Sequence, residues 1–296
     1  MDLLIARIVD GFNNGVIYGF LALALVCVYR GTNHLNLAQG EMAMFSAFIA
    51  YALHAAGFPV PLAILGTVVI AFLAGGVIER VLIRPLGHHA DYSILLVTIG
   101  LFLMLNAGAG VIWGGDPLAF PAAVPSAPDD YITFFGTRLR YQQLLTLVVL
   151  LVVLAALFAL FKYTRLGLAM RATASNPETA RLLGIRVNQI NSLGWMLAAG
   201  VGALIGALVS PSTTLTTGMM FNFLIYAAAA ATLGGFDSPG GAVLAGILLG
   251  LAENLLASYV GFIGSDLKQA VALVILLGVL MVRPTGLFGT KKVERV

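Results

Sequence analysis

The sequence predicts an all-α protein that crosses a membrane eight or nine times, and three observations carry that prediction. Of its 296 residues 60% are hydrophobic and only 10% are charged, against roughly 25% charged residues in soluble domains. Apolar segments of about 20 residues, the length that spans a hydrocarbon core, begin near Val9, Leu35, Pro61, Ser93, Gln142, Ile190, Met219, Gly241 and Leu267. The charged residues gather in short connectors between these segments instead of covering helix faces, so residues 1–296 read as one transmembrane domain with no separable soluble unit.

Taken in order, the first segment follows a start without a basic region or a small-residue cleavage site, so it is expected to be retained. Asn36, Gln39 and Glu41 interrupt the second segment, and Gly218 with Asn222 open the seventh, which makes 35–45 and 218–236 the places for broken or re-entrant helix. The 113–141 connector between the fourth and fifth segments carries Pro117, Pro121, Pro125 and Pro128, which exclude regular helix from its middle. It either receives an external partner or caps two helices. The single cysteine, Cys27, lies in an apolar run and excludes an internal disulfide.

Orientation follows from the cations, because Lys and Arg concentrate in cytoplasmic connectors. With the N-terminus outside and nine crossings, 12 of the 16 Lys and Arg residues fall inside: Arg30, Arg80, Arg84, Lys162, Arg165, Arg171, Arg181, Arg186, Arg283, Lys291, Lys292 and Arg295. Arg7, Arg138, Arg140 and Lys268 fall outside, with Asp116, Asp129, Asp130 and Asp266. The C-terminus is therefore expected in the cytoplasm, the 113–141 connector on the periplasmic side, and the net charge of +3 marks topology. No basic patch interleaved with aromatics supports nucleic-acid binding.

The inside connector at 164–189 contains the most informative polar segment. Ser175 with Glu178 three residues on makes a capping box, Asn176-Pro177 is a second way to start the same short helix, and Gly184 suits its stop. Ala180, Leu182, Leu183 and Ile185 are expected to form one apolar face, with Glu178, Arg181 and Arg186 in water. Such a helix rests on a partner or a membrane surface, or is a plain connector.

Polar groups inside spans are expensive unless they face a bundle interior or water. Asn36, Gln39 and Gly40 share a helical face, with Glu41 beside them; they form part of a translocation path or an interhelical hydrogen-bonded contact. Glu253 and Asn254 in the eighth segment carry the same two readings, and Asn222 joins them as a weaker path candidate. Glu79 beside Arg80 reads as a solvated or paired boundary residue, and Asn106 as a packing hydrogen bond. Gly202 with Gly206, and Gly246 with Gly250, have the spacing of close helix packing. No phosphate loop of the G-x-x-x-x-G-K-[ST] kind is present, adjacent His88 and His89 lack metal-ligand spacing, and no nucleophile and base pair indicates catalysis.

Four stretches resemble the membrane permease subunits of bacterial ATP-binding-cassette importers for branched-chain amino acids. They are NGVIYGFLALALVCVYRGTNHLNLAQGEMAM at 14–44, TRLGLAMRATASNPETARLLGI at 164–185, TLGGFDSPGGAVLAGILLGLAEN at 232–254 and RPTGLFG at 283–289. Length and short outer loops look like the smaller, H-type permease. The resemblance implies a second permease subunit, two cytoplasmic ATPases holding the ATP and magnesium, a periplasmic substrate-binding protein, a multi-pass location in the bacterial inner membrane, and no cofactor in this chain. Glu178-Thr179-Ala180-x-x-x-Gly184 is similar to the start of the importers' E-A-A-x-x-x-G pattern, with Thr for the middle Ala, and implies a coupling helix spanning Ser175, Pro177, Glu178, Thr179, Ala180, Arg181, Leu182, Leu183 and Gly184. The cargo stays open between branched-chain or other amino acids, urea and a small carboxylate. The competing classes are an ion-coupled secondary carrier using Glu41 and Glu253, and a membrane-embedded enzyme.

Overall fold

The computed structural model describes residues 2–86, 91–126, 130–134, 137–260, 267–283 and 286–289. His88, His89, Pro128, Asp129, Asp266, Lys291, Lys292 and Arg295, named above, lie outside the described residues. Nine helices fall on the nine apolar segments: α1 (Asp2–Thr32), α2 (Gln39–Ala55), α3 (Val60–Ile78), α4 (Asp91–Trp113), α5 (Tyr141–Tyr163), α8 (Val187–Thr213), α9 (Phe221–Gly234), α10 (Pro239–Tyr259) and α11 (Lys268–Val282). Two further short helices, α6 (Arg165–Ser175) and α7 (Pro177–Leu182), lie between α5 and α8.

Six helices, α1, α3 with the turns that extend it to Leu86, α4, α5, α8 and α10, are long and apolar enough to cross a membrane. Helix α9, with 14 residues, reaches about 21 Å at 1.5 Å per residue, short of a core of about 30 Å. Helix α2 is shortened at its start, because α1 ends at Thr32 and Asn33 takes a left-handed turn at φ 60°. Asparagine tolerates that conformation better than most residues. Of the stretches 35–45 and 218–236 expected to be broken or re-entrant, only 35–38, 218–220 and 235–236 are non-helical, while 39–45 and 221–234 are continuous helix in α2 and α9.

The all-α expectation needs one correction. In the connector after α4, strands β1 (Tyr131–Phe134) and β2 (Thr137–Arg140) form an antiparallel hairpin with Tyr131 opposite Arg140 and Phe134 opposite Thr137. Tyr131, Ile132 and Thr133 are residue types that favour extended structure, and they follow the last of the prolines that exclude helix upstream. The guanidinium of Arg138 lies 4.6 Å from the Tyr131 ring centre. Before the hairpin the connector crosses the bundle end, where Leu118 and Leu215 exchange backbone hydrogen bonds of 3.0 and 2.9 Å and Phe120 is buried with Ala50, Ile64 and Ala207.

Helix α1 is the axis of the bundle. Within its 18-residue apolar stretch 78% of residues are buried in protein, against 22% in the corresponding stretches of α4 and α5, and it packs along α10, α8 and α9. Helices α3, α4, α5 and α11 stand outside, presenting Leu65, Val69, Leu103, Val111, Val152 and Met281 on the surface. This distribution suits a bundle whose perimeter meets lipid tails.

Lipid is as apolar as leucine, so helices in a bilayer gain contact by close approach of backbones at small residues. A Cβ built on Gly15 would come within 2.5 Å of Ile247 Cα, and one on Gly246 within 2.5 Å of Gly19 N. Gly11, Gly15 and Gly19 on α1 therefore mesh with Gly246 and Gly250 on α10. Gly202 and Gly206 on α8 receive Gln39 and Ala43 of α2. Both glycine pairs noted in the sequence make seams inside this chain. Accordingly, Gly15→Val is expected to destabilise the folded chain by about 3 kcal/mol or more through backbone overpacking, whereas Gly100→Ala, open on every side, should stay within about 0.5 kcal/mol. Thermal unfolding of the detergent-purified variants measures the difference.

Candidate functional site

Helix α5 ends at Tyr163 and α8 begins at Val187, so α6 and α7 occupy one end of the bundle and the 114–140 connector the other. Thr164 starts α6: its Oγ1 accepts the Gly167 N–H at 3.1 Å. Gly167 lets α6 fold back tightly, since a Cβ there would meet Phe161 Cα at 2.5 Å. Met170 and Thr173 face the bundle, with 1% and 3% exposure. The sequence reading missed α6, although Thr164-x-x-Gly167 carried its start.

Helix α7 is capped by Asn176, whose side-chain oxygen accepts the Glu178 and Thr179 N–H groups at 3.0 Å each. Of the two starts the sequence offers, the structure takes Asn176-Pro177 and not Ser175. The residue before a proline is driven to extended backbone, and Asn176 has φ −154° and ψ 103°. The cap position thereby falls on Asn176 with Pro177 at the first helical position, while Ser175 closes α6. Gly184, at φ +81°, ends the helix as expected, in the left-handed conformation that glycine adopts freely. The expected single apolar face is divided: Ala180 is buried and Ile185 half-buried against the chain, whereas Leu182 and Leu183 are 88% and 74% exposed. Six residues on two turns place these neighbours in different directions, and the outward direction takes both leucines.

Just beyond α7, the start of α8 is fastened to the end of α3. Residues Glu79–Ile83 form a π-helical turn that brings Arg84 back over Glu79. Arg84 Nη2 and Nε donate to the Glu79 carboxylate at 2.8 and 3.3 Å, and Nη2 also donates to Ser192 Oγ at 2.8 Å. Ser192 in turn donates to Glu79. Glu79, 2% exposed, is thus paired with Arg84 and not with its neighbour Arg80. A cavity of about 140 Å³ beside this cluster is lined by Glu79, Arg84, Thr173, Pro177, Arg181 and Asn191, among others.

The polar residues inside the spans are brought into three separate contacts. Asn36 Nδ2 donates to Gln39 Oε1 at 3.1 Å, and Gln39 Nε2 donates to the Ala198 carbonyl at 3.0 Å; both side chains are fully buried, and Gly40 abuts Leu224 and Met220. Glu41 accepts from Asn106 Nδ2 at 3.2 Å, and the same amide donates to the Thr217 carbonyl at 2.8 Å. Tyr18 OH donates to Glu253 at 2.9 Å with its ring stacked 4.5 Å from that of Tyr226, while Asn254 Nδ2 donates to the Arg7 carbonyl at 2.7 Å. Apart from the local Asn36–Gln39 bond, these hydrogen bonds tie a helix to another helix or to the link before α9, and none of the seven path candidates lines either described cavity. Asn222 alone among them is exposed, at the start of α9.

The larger cavity, about 440 Å³, lies at the opposite end from α6 and α7, between the 114–140 connector, α1, the start of α5 and the end of α8. Sequence reading did not find it, because α1, the stretch from the connector into α5, α8 and Phe223 of α9, which together line it, are far apart in the chain. Among the described residues no group of three metal-ligating side chains occurs.

The Glu79 contact gives a direct stability test. Glu79→Ala leaves the Arg84 guanidinium without its carboxylate and is expected to cost about 2–3 kcal/mol, while Glu79→Ala combined with Arg84→Ala should cost less than the sum of the two single changes. A double-mutant cycle on thermal unfolding in detergent measures the coupling.

Comparison with known proteins places the chain. A family model described as branched-chain amino acid transport system / permease component matches residues 7–281. The high-affinity branched-chain amino acid transport system permease protein BraD of Pseudomonas aeruginosa is 31% identical, covering 98% of this chain and 97% of the relative. LivH of Escherichia coli, which carries the same description, is 28% identical over 97% of this chain and 96% of the relative. Among solved structures, PsaBC from Streptococcus pneumoniae in complex with Fab aligns over 93% of this chain and 91% of the other, with 14% identity and a TM-score of 0.49. With its apolar helices and a family match across nearly its whole length, this multi-pass inner-membrane chain belongs to the permease components of branched-chain amino acid transport systems.

Proposed function

We propose that this chain is the transmembrane permease subunit of an ATP-binding-cassette importer that moves branched-chain or related amino acids inward. Powered by two separate cytoplasmic ATPases, it pairs with a second permease and receives cargo from a periplasmic binding protein. The chain acts as one permease domain, needs no cofactor of its own, and leaves ATP hydrolysis to the partners. It runs from an outside N-terminus through eight or nine membrane helices, six of them long enough to cross alone, to a cytoplasmic C-terminus, with 164–189 inside and 113–141 in the periplasm.

The observation that carries this reading is α7. A helix of six residues, capped by Asn176 and stopped at Gly184, displays Leu182 and Leu183 to water at the end of the bundle where the cations concentrate. Burying an exposed leucine is worth about 1.5–3 kcal/mol, so a cleft on an ATPase that covers both gains a firm hold. Motion of that ATPase then reaches the bundle along two routes: through α6, whose Met170 and Thr173 face the interior, and through α8, tied by Ser192 to Glu79 and Arg84 at the end of α3. Because a ligand shifts a conformational equilibrium only by its differential affinity for the two states, the permease holds cargo weakly and selection rests with the binding protein.

Gly184→Pro and Leu182→Asp are each expected to lower uptake by more than tenfold with normal membrane abundance; the first removes the backbone conformation at the helix stop, the second the apolar contact. Unchanged uptake by both variants, together with full recovery of co-purifying ATPase, would refute the docking role. Glu41→Gln and Glu253→Gln, which keep an acceptor for Asn106 and Tyr18, are expected to transport within about twofold of wild type. Uptake that follows an imposed ion gradient and is lost in these two variants would instead indicate an ion-coupled carrier.

A further inference from the structure

Helix α5 carries a lipid-facing stripe that ends in cations. Val148, Val152, Ala155 and Ala159 are exposed at helical spacing along it, and Lys162 continues the same line. With 23 residues the helix is about 35 Å long at 1.5 Å per residue, more than a hydrocarbon core of about 30 Å. Lys162, next to its last residue, therefore stands at headgroup depth. Its ammonium is held against two rings: Nζ lies 5.1 Å from the centre of Phe158 and 5.5 Å from that of Tyr163, distances at which a cation and a ring attract. The rings themselves meet edge to face at 6.3 Å and are both exposed. The chain then turns at Thr164 into α6, whose first turn presses on the last turn of α5, since a Cβ on Gly167 would run into the Leu160 carbonyl oxygen. That contact keeps Arg165 and Leu168, exposed residues that share a helix face, beside the end of α5. Between Tyr141 and Pro177 the charged residues are Lys162, Arg165 and Arg171, all exposed, with no Asp or Glu among them.

We propose that the corner between α5 and α6 is a binding site for an anionic phospholipid of the adjoining leaflet. The headgroup phosphate accepts from the Lys162 ammonium and the Arg165 guanidinium, and an acyl chain runs along Phe158, Ala155 and Val152. The ring-held Lys162 lays its stem on apolar surface and turns its charge to the headgroups. Charge complementarity selects the lipid: a zwitterionic headgroup brings its own cation, which a cluster without carboxylates repels. A water-soluble protein partner fits less well, because the stripe below Lys162 lies at hydrocarbon depth. The inference needs only that α5 spans the membrane, and it stands apart from the importer reading.

The test uses the full chain, delipidated in dodecyl maltoside with whatever partners travel with it, and counts bound lipid by native mass spectrometry during titration with dioleoylphosphatidylglycerol or dioleoylphosphatidylcholine. The first phosphatidylglycerol is expected to bind about 25-fold more tightly than phosphatidylcholine, about fivefold for each of two cations at an anionic headgroup. Lys162→Gln and Arg165→Gln should each reduce the preference to about fivefold, and the double variant should abolish it. Arg138→Gln, which removes the same charge from the exposed hairpin at the opposite end of the bundle, leaves it unchanged. Lys162 and Arg165 are exposed, so equal thermal unfolding of the variants is expected and keeps the comparison one of binding. Equal affinity for the two lipids, or a preference that survives in the double variant, overturns the site. Displacement of the lipid by excess inorganic phosphate overturns it in favour of a free-anion site. Loss of co-purifying ATPase from the double variant, with the lipid preference intact, overturns it in favour of a protein-docking face.

Discussion

Close approach of backbones is the constraint on which the rest of this structure depends. In a hydrocarbon environment there is little to gain from bringing one leucine-covered helix against another, and every backbone polar group must be satisfied within the protein. The chain meets both conditions at two seams, glycine against glycine between α1 and α10, and the glycines of α8 against Gln39 and Ala43 of α2. The central position of α1, its near-continuous burial between Phe20 and Val28, and the exclusion of α3, α4, α5 and α11 to the perimeter all follow from those two meshed pairs.

On this frame, polar side chains act as fasteners between helices that glycine alone would leave free to slide. Asn106 on α4 joins Glu41 on α2 to the link before α9; Tyr18 on α1 joins Glu253 on α10; Gln39 joins α2 to α8. Each bond connects residues distant in sequence, and each sits where solvent does not compete for it. The Glu79, Arg84 and Ser192 cluster does the same at the end of the bundle that carries α6 and α7, where it anchors the segment that follows α7.

Much of this was legible in the sequence, because hydrophobic length and glycine spacing are local properties that the bilayer translates directly into helices and seams. The nine helical segments, the breaks ahead of α2 and α9, the stop at Gly184 and the glycine pairs all follow from residues within a few turns of one another. What escaped the reading was set by competition or by distance. The choice between the two offered caps, Ser175 and Asn176, was decided by Pro177, which dictates the backbone before it. The leucines of α7 split from Ala180 because a six-residue helix leaves little face to share. The partners of Glu41, Gln39 and Glu253 lie 65, 159 and 235 positions away, and the larger cavity draws on α1, the segment from the connector into α5, α8 and α9, so neither could be found by spacing.

Two leucines standing almost fully in water on a capped helix also have a meaning for the chain before it is assembled. Water-exposed apolar side chains on an ordered surface are what chaperones grip and quality-control proteases inspect, and Leu182 and Leu183 lie where cytoplasmic factors have access in the proposed orientation. A subunit whose α7 is covered would present no such mark. The same pair of side chains proposed to hold a partner would thus let the cell distinguish a finished complex from an orphan, and would tie the lifetime of this chain to the supply of its companions.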